Sequence, residues 1–240
     1  MGIPKIIHYC WFGKQEKPEI VKRCIASWYR YLPGYRFIEW NENNFDHTCN
    51  PYVKEAYEAG KYAFVSDYAR VFALYHFGGI YLDTDVEVFK SFNDLLHHDS
   101  FWGFEQENFI ATSTIGAARE NKLIQAFMDS YQTKSFLLAD GTFNSLTNVA
   151  MITEIIGGMG IIPNGKYQEI KGLGTFYPQT YFSPYDYINC QSFKTDKTYA
   201  MHHFYKSWLP RKARWKGHIK LMASKVIGGH NIARIRKLLS

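Results

Sequence analysis

At 240 residues, 46% hydrophobic and 21% charged, the chain fits one globular α/β domain or a domain with a small appendage, which excludes fibrous and largely disordered classes. Its net charge of +6 is unevenly spread: residues 197–240 hold 11 of the 28 Lys and Arg and no acid, which leaves 17 basic against 22 acidic residues before them, a net of −5. The basic character belongs to the tail, and a nucleic-acid footprint should lie across the folded surface instead, so nucleic acid is not expected as a ligand.

Residues 3–13 read as a first β-strand closed by Gly13, a short apolar run ending in a loop. Residues 18–31 have helical spacing in Ile20, Cys24 and Trp28 and stop before Pro33-Gly34. Residues 35–40 alternate as a second strand, 41–50 are loop-like, and 51–59 form a short helix ending at Gly60. Ser66 is an N-cap candidate for a helix over 67–77, which Gly78-Gly79 stops. Ile80-Tyr81-Leu82 is a buried strand leading into Asp83-Thr84-Asp85, and 86–89 continue extended. A strand over 101–104, helices over 119–131 and 144–156, and short strands and loops over 160–205 follow, before a helical tail from Trp215. Strands alternating with helices imply a mainly parallel sheet covered on both faces, in one domain.

Four cysteines, at 10, 24, 49 and 190, form neither a C-x-x-C pair nor a dense framework, so free thiols in a reducing compartment are expected. The opening Met1-Gly2-Ile3-Pro4-Lys5 does not read as a signal peptide, and no stretch reaches about 18 uninterrupted apolar residues. A soluble, cytosolic protein is the expectation. The 18 Tyr, 18 Phe and 6 Trp suit a core, and also surfaces that stack on sugars or nucleobases.

Asp83-Thr84-Asp85 carries the clearest chemistry. Two carboxylates two residues apart at a strand end can reach one divalent cation, and hard oxygen ligands suit Mn²⁺ or Mg²⁺, which in turn hold a diphosphate. An isolated D-x-D is usually a solvated loop; here it follows a buried strand, at the sheet edge where α/β proteins bind ligands. An acyl-phosphate phosphatase motif would need Thr or Val where Glu87 stands, and an EF-hand would need Gly and Glu where Val88 and Asp94 stand. Asp67 and Arg70 share one helical face, as a surface ion pair or as a carboxylate and guanidinium for sugar and phosphate oxygens. In His202-His203-Phe204-Tyr205-Lys206-Ser207-Trp208, adjacent histidines on a strand point to opposite faces, so at most one ligates a metal.

Taken in order, residues 3–13, Ser66-Asp67-Tyr68-Ala69-Arg70, Gly78-Gly79-Ile80-Tyr81-Leu82-Asp83-Thr84-Asp85 and the 202–208 segment resemble glycosyltransferase family 32 over residues 3–209. The middle also looks like bacterial members, in Thr147-Asn148 and Tyr177-Pro178. The resemblance implies a Rossmann-like GT-A domain over 1–209, with residues 210–240 a basic amphipathic tail. It implies a metal-dependent retaining transferase taking a nucleotide-sugar, a UDP-sugar favoured, to a glycan or lipid-linked acceptor in capsule or lipopolysaccharide synthesis. Trp11 would stack on the base, with Tyr9 and Gly13 beside it as donor contacts. Asp67 and Arg70 would hold sugar and ribose. Asp83 would bind ribose or metal-bound water, and Asp85 and His203, preferred to His202, would ligate Mn²⁺ or Mg²⁺. Lys206, Ser207 and Trp208 would close over the diphosphate, although Lys206 stands where many relatives carry Gly. Glu105, Gln106 and Asn108 are expected on the acceptor side. No carboxylate stands out as a nucleophile, so attack from the leaving-group face is the expected route. A binding module without turnover is the alternative, one with no need of spaced metal ligands.

In the tail, Trp215, Ile219, Met222 and Val226 follow a helical stripe with Lys216 and Lys220 off it, the pattern of a helix lying in a lipid interface. A peripheral position at the inner face of the cytoplasmic membrane follows as an expectation, each cation adding roughly 1 kcal/mol near an anionic leaflet. Liposome co-sedimentation should pellet the full chain with anionic vesicles at low salt and leave a version ending at Pro210 in the supernatant. Equal pelleting of the two discards the tether.

Overall fold

The computed structural model describes residues 2–106, 109–144, 146–187 and 191–205. The expected tail, and with it Asn108, Lys206, Ser207 and Trp208, lies outside the described residues. In chain order the elements are β1 (Ile6–Cys10), α1 (Glu19–Tyr31), β2 (Arg36–Trp40), α2 (Pro51–Glu58), α3 (Tyr62–Phe77), β3 (Gly79–Leu82), β4 (Val86–Val88), β5 (Ser100–Gln106) and β6 (Phe109–Ala117). There follow α4 (Lys122–Asp129), α5 (Asn148–Gly158), β7 (Gln168–Ile170), β8 (Gly174–Tyr177), β9 (Tyr185–Asp186), β10 (Gln191–Ser192) and β11 (Ala200–His202). None of the described helices is long and apolar enough to cross a membrane.

Seven strands form one sheet in the order β2-β1-β3-β6-β5-β8-β7. The pairs β1–β2, β1–β3 and β5–β8 are parallel, and β6 and β7 run against their neighbours, so five of seven strands share a direction. This is the mainly parallel α/β sheet expected from the sequence. Its β2-β1-β3 half, with α1 and α3 as crossovers, is a Rossmann-like unit. The sheet is buried on both faces. Helices α2 to α5 cover one, around Val65, Leu74, Tyr81, Ile115, Phe127 and Ile152. On the other, Trp28 of α1 packs with Ile7, Ile80, Leu82 and Phe101.

Three boundaries differ from the sequence reading. Helix α3 starts at Tyr62, one turn before Ser66, whose hydroxyl donates back to the Tyr62 carbonyl (3.0 Å) instead of capping. The apolar Val65 earns this extra turn by packing into the core. Strand β6 was not anticipated: its Thr112-Ser113-Thr114 centre lacks an apolar alternation, yet it is buried through its length after Phe109. Helix α5 runs through Gly157 and Gly158, capped by the Thr147 hydroxyl on the Ala150 amide (3.3 Å), where the sequence suggested a stop at the glycine pair. Cys10, Cys24 and Cys49 are free, as expected.

The corner between α3 and β3 sets where the chain after β3 emerges. Gly79 holds φ +112°, and a Cβ there would lie 2.7 Å from the Ile6 carbonyl and 3.1 Å from His8 Nε2. Only glycine lets the strand start this close to β1. His8 fastens the corner, with Nε2 2.8 Å from the Gly78 carbonyl and Nδ1 3.1 Å from Trp40 Nε1. A carbonyl only accepts and an indole N–H only donates, so His8 is neutral with its proton on Nε2. Burial pushes its pKa down to about 4, with Arg36 adding to the effect.

That shift has a signed consequence. Unfolded chains take up the His8 proton as pH falls through 6.5, whereas the fold resists it until about 4, so the His8 contribution to stability is full above 6.5 and is lost progressively as pH falls towards 4. Between pH 7.5 and 4.5 the loss from His8 should be about 2.5 kcal/mol. Urea unfolding of wild type and His8→Asn at both pH values should show the variant losing less by that amount. Parallel pH dependence would contradict the assignment.

Candidate active site

Strand β3 delivers Asp83 to the sheet's carboxyl edge, where its amide donates to the Ser113 carbonyl (2.8 Å) and continues the β6 register. The chain then turns, the Val86 amide donating to the Asp83 carbonyl (2.9 Å), and β4 leaves antiparallel to β11. This turn breaks strict alternation and lets both carboxylates share one side. Trp28 Nε1 donates to the Val86 carbonyl (2.7 Å) and the Val88 amide donates to Ser27 Oγ (2.9 Å), so α1 anchors the far side of the turn.

Behind Asp83 lies a buried guanidinium. Arg70, on the buried face of α3, donates to the Thr112 carbonyl (2.7 Å), to Asp67 Oδ1 (2.8 Å) and reaches Asp83 Oδ1 at 3.2 Å. Its plane lies over the Tyr81 ring, 4.6 Å from the centroid, and Tyr81 in turn donates its hydroxyl to Asp83 Oδ1 (3.0 Å). Arg70 side-chain exposure is 6%, so the reading of this pair as a surface ion pair is excluded. Burial opposes the Arg70 charge, but Asp83, Tyr81 and Asp67 outweigh it and hold the cation firmly protonated. Asp67 goes the other way: burial pushes its pKa up to about 7, although Arg70 pulls it down, with Asp83 raising it further.

The second half of the site comes from the chain's other end. Strand β11 pairs His202 with Val86, and His202 Nε2 sits 3.4 Å from Asp85 Oδ1. Asp83, Asp85 and His202 present ligand atoms that all lie within 4.8 Å of one another. Burial works against both charges of the Asp85–His202 pair, yet each partner holds the other ionised: Asp85 is kept below the usual carboxylate range and His202 above the usual imidazole range. Glu105, at the end of β5, adds its charge to the field on His202. Two carboxylates and an imidazole form a donor set that suits Mn²⁺, so these residues fit a divalent metal.

The expected ligand His203 is placed elsewhere. Its Nε2 lies 2.8 Å from Glu87 Oε2, because β11 ends at His202 and the next side chain turns to the opposite side. Its neighbour His202 takes the position by the carboxylates. Tyr9 also differs from a ligand contact: it is buried, its ring edge-on to Trp28 at 5.3 Å and its hydroxyl bonded to Glu39. Trp11 stands half-exposed after β1, its indole N–H donating to the Gln15 carbonyl (2.9 Å) and Lys17 Nζ 5.6 Å from the ring centre. Gly13 holds φ +84° and donates its amide to Glu42 Oε1 (2.7 Å), against Tyr62 at the start of α3. Gln106 closes β5 opposite Phe109. Sequence reasoning missed Thr112, whose carbonyl holds Arg70, and Tyr81. Tyr81 was legible in principle, since an aromatic with a polar tip two residues before Asp83 shares its face.

The chain is similar to known proteins over part of its length. Residues 18–102 match the family model "Glycosyltransferase sugar-binding region containing DXD motif", which bears out the resemblance read from the sequence. "Inositol phosphoceramide mannosyltransferase 3" of Schizosaccharomyces pombe is 31% identical over 122 residues, 49% of this chain and 34% of that protein. "Subversion of eukaryotic traffic protein A" of Legionella pneumophila is 25% identical over 173 residues, 58% of this chain and 26% of that protein. The chain thus spans about a third or less of the length of these curated relatives. Among solved structures, the PaToxG glycosyltransferase is similar with a TM-score of 0.46 at 18% identity, covering 66% of this chain and 72% of that one.

Removing the Arg70 cation leaves Asp67 and Asp83 facing each other without compensation. Arg70→Ala should therefore destabilise the fold by about 3–5 kcal/mol. At roughly 2–4 °C per kcal/mol for a chain of this size, calorimetry should show a melting point lower by about 6–20 °C. A shift below 2 °C would mean the guanidinium is not a structural centre.

Proposed function

We propose that this chain is a metal-dependent glycosyltransferase that moves a sugar from a nucleotide-sugar, a UDP-sugar first among candidates, to a glycan or lipid-linked acceptor. The observation that carries the reading is the convergence of Asp83, Asp85 and His202 at the sheet's carboxyl edge, beside a buried Asp67–Arg70 pair. The family match over residues 18–102 supports the same chemistry. A lipid-linked acceptor is supported by the relative named for inositol phosphoceramide, and by the basic sequence of residues 197–240. Surface polysaccharide synthesis at the inner face of the cytoplasmic membrane is the setting that this reading favours.

Asp85 and His202 would hold Mn²⁺ or Mg²⁺, with Asp83 as the third ligand. Bound there, the ion supplies positive charge to the diphosphate leaving group, an electrostatic role rather than water activation. The chain's own residues do the rest. Arg70, fixed by the Thr112 carbonyl and over Tyr81, keeps Asp67 and Asp83 in a set geometry before any ligand arrives. Asp67 presents a carboxyl that accepts from, or donates to, a sugar hydroxyl, since burial brings its pKa near neutrality. Trp11 offers a half-exposed ring for the base, and Lys206, Ser207 and Trp208 are assigned to the diphosphate. With no carboxylate assigned as nucleophile, transfer with retention would proceed by attack on the leaving-group face.

Asp85→Asn keeps the shape and removes the anionic ligand. Mn²⁺-dependent hydrolysis and transfer from a panel of UDP- and GDP-sugars should fall at least a hundredfold, while the unfolding midpoint stays near wild type. Near-normal turnover in this variant would remove the metal from the reaction.

A further inference from the structure

Ligand histidines are ordinarily oriented by a hydrogen bond on the ring nitrogen that does not face the metal. His202 lacks that support: its Nδ1 is buried with no hydrogen-bond partner among the described residues. What holds the ring instead is Phe204, whose ring centroid lies 3.9 Å from that of His202 at an interplanar angle of 34°. Tyr187 meets Phe204 in turn, with 4.6 Å between centroids.

Phe204 reaches this place by an unusual backbone. Its φ is +51°, the left-handed region that an aromatic residue seldom occupies. The two amides flanking it show what the conformation achieves. His203 N–H donates to the Asp85 carbonyl (3.0 Å) and Tyr205 N–H donates to Asp85 Oδ2 (2.7 Å). One residue in the left-handed region thus folds the chain around Asp85 and lays a ring on His202. Backbone outliers of this kind persist where surrounding contacts over-determine them, and they concentrate at functional sites.

We infer that Phe204 is the positioning residue of the divalent-cation site, acting through His202 and Asp85 rather than touching the ion. The inference rests on reading Asp83, Asp85 and His202 as a metal site. Packing of an aromatic ring here replaces the usual hydrogen bond to a ligand histidine, so cation affinity depends on the ring at 204.

Mn²⁺ binding to the full chain without any donor, followed by the loss of the free-ion EPR signal, tests this. Phe204→Asn tolerates the left-handed backbone but removes the ring, and should weaken Mn²⁺ binding about tenfold or more, in line with other residues that support metal ligands. Phe204→Gly should lose as much, and Phe204→Tyr should restore affinity to within about threefold. The Asn and Gly variants should still unfold cooperatively, because relief of the strained φ offsets part of the lost ring packing. If Asn and Gly bind Mn²⁺ like wild type, or if neither folds, Phe204 is a residue of the fold and the inference is wrong while the metal reading stands. A wild-type chain that binds no Mn²⁺ overturns both.

Discussion

A guanidinium cannot stay in a protein interior without anions and acceptors to replace water, and the active half of this fold is arranged around that requirement. Arg70 gathers the Thr112 carbonyl from β6, Asp67 from its own helix and Asp83 from the end of β3, with the Tyr81 ring beneath it. Each contact ties a different element to one point. The D-x-D turn is therefore not a loose loop hung on a sheet, since one of its carboxylates belongs to a buried charge network and the other pairs directly with His202 of β11. Asp83 and Asp85 differ in electrostatic setting for that reason: a fixed cation sits behind the first, and an imidazole opposes the second.

The same network explains the opposite tendencies of the two acids in the region. Asp67 shares its guanidinium with Asp83, so compensation is divided while burial remains, and its pKa rises to about 7. Asp85 has His202 and the Tyr205 amide to itself and is held low. Two carboxyls on neighbouring elements thereby acquire different protonation behaviour, a common basis for dividing roles within one site.

How much of this could be read from the sequence depends on whether the signal is local. The Gly78-Gly79 corner, the buried run of β3 and the two acids after it lie within eight residues, and their meaning survives without tertiary knowledge. Asp67 and Arg70 are one helical turn apart, so their shared face was also readable. Their burial was suggested only by the apolar residues around them. Strand β6 escaped because Thr112, Ser113 and Thr114 make no apolar pattern, and their burial comes from lying between β3 and β5 in the sheet. The choice between His202 and His203 turns on where β11 ends and which strand it pairs with. That register is set by residues more than a hundred positions away, and neighbouring side chains hold no record of it. The burial of Tyr9 was hidden for a related reason: strand polarity tells which residues alternate, not which face α1 will cover with Trp28.

The pairing of β4 with β11 joins segments whose contacting residues are up to 120 positions apart in the chain. Contacts of such separation carry a large loop-closure cost and tend to form late. During synthesis the β1–β3 unit, with Arg70, Asp67 and Asp83, emerges and can pack well before residue 200 exists. Asp85 then waits, without its imidazole partner, until residue 202 has been made. Assembly of the Asp83–Asp85–His202 cluster in this way reports that synthesis has passed residue 202: a product interrupted before that point can hold Asp67, Arg70 and Asp83 together but lacks the imidazole that faces Asp85.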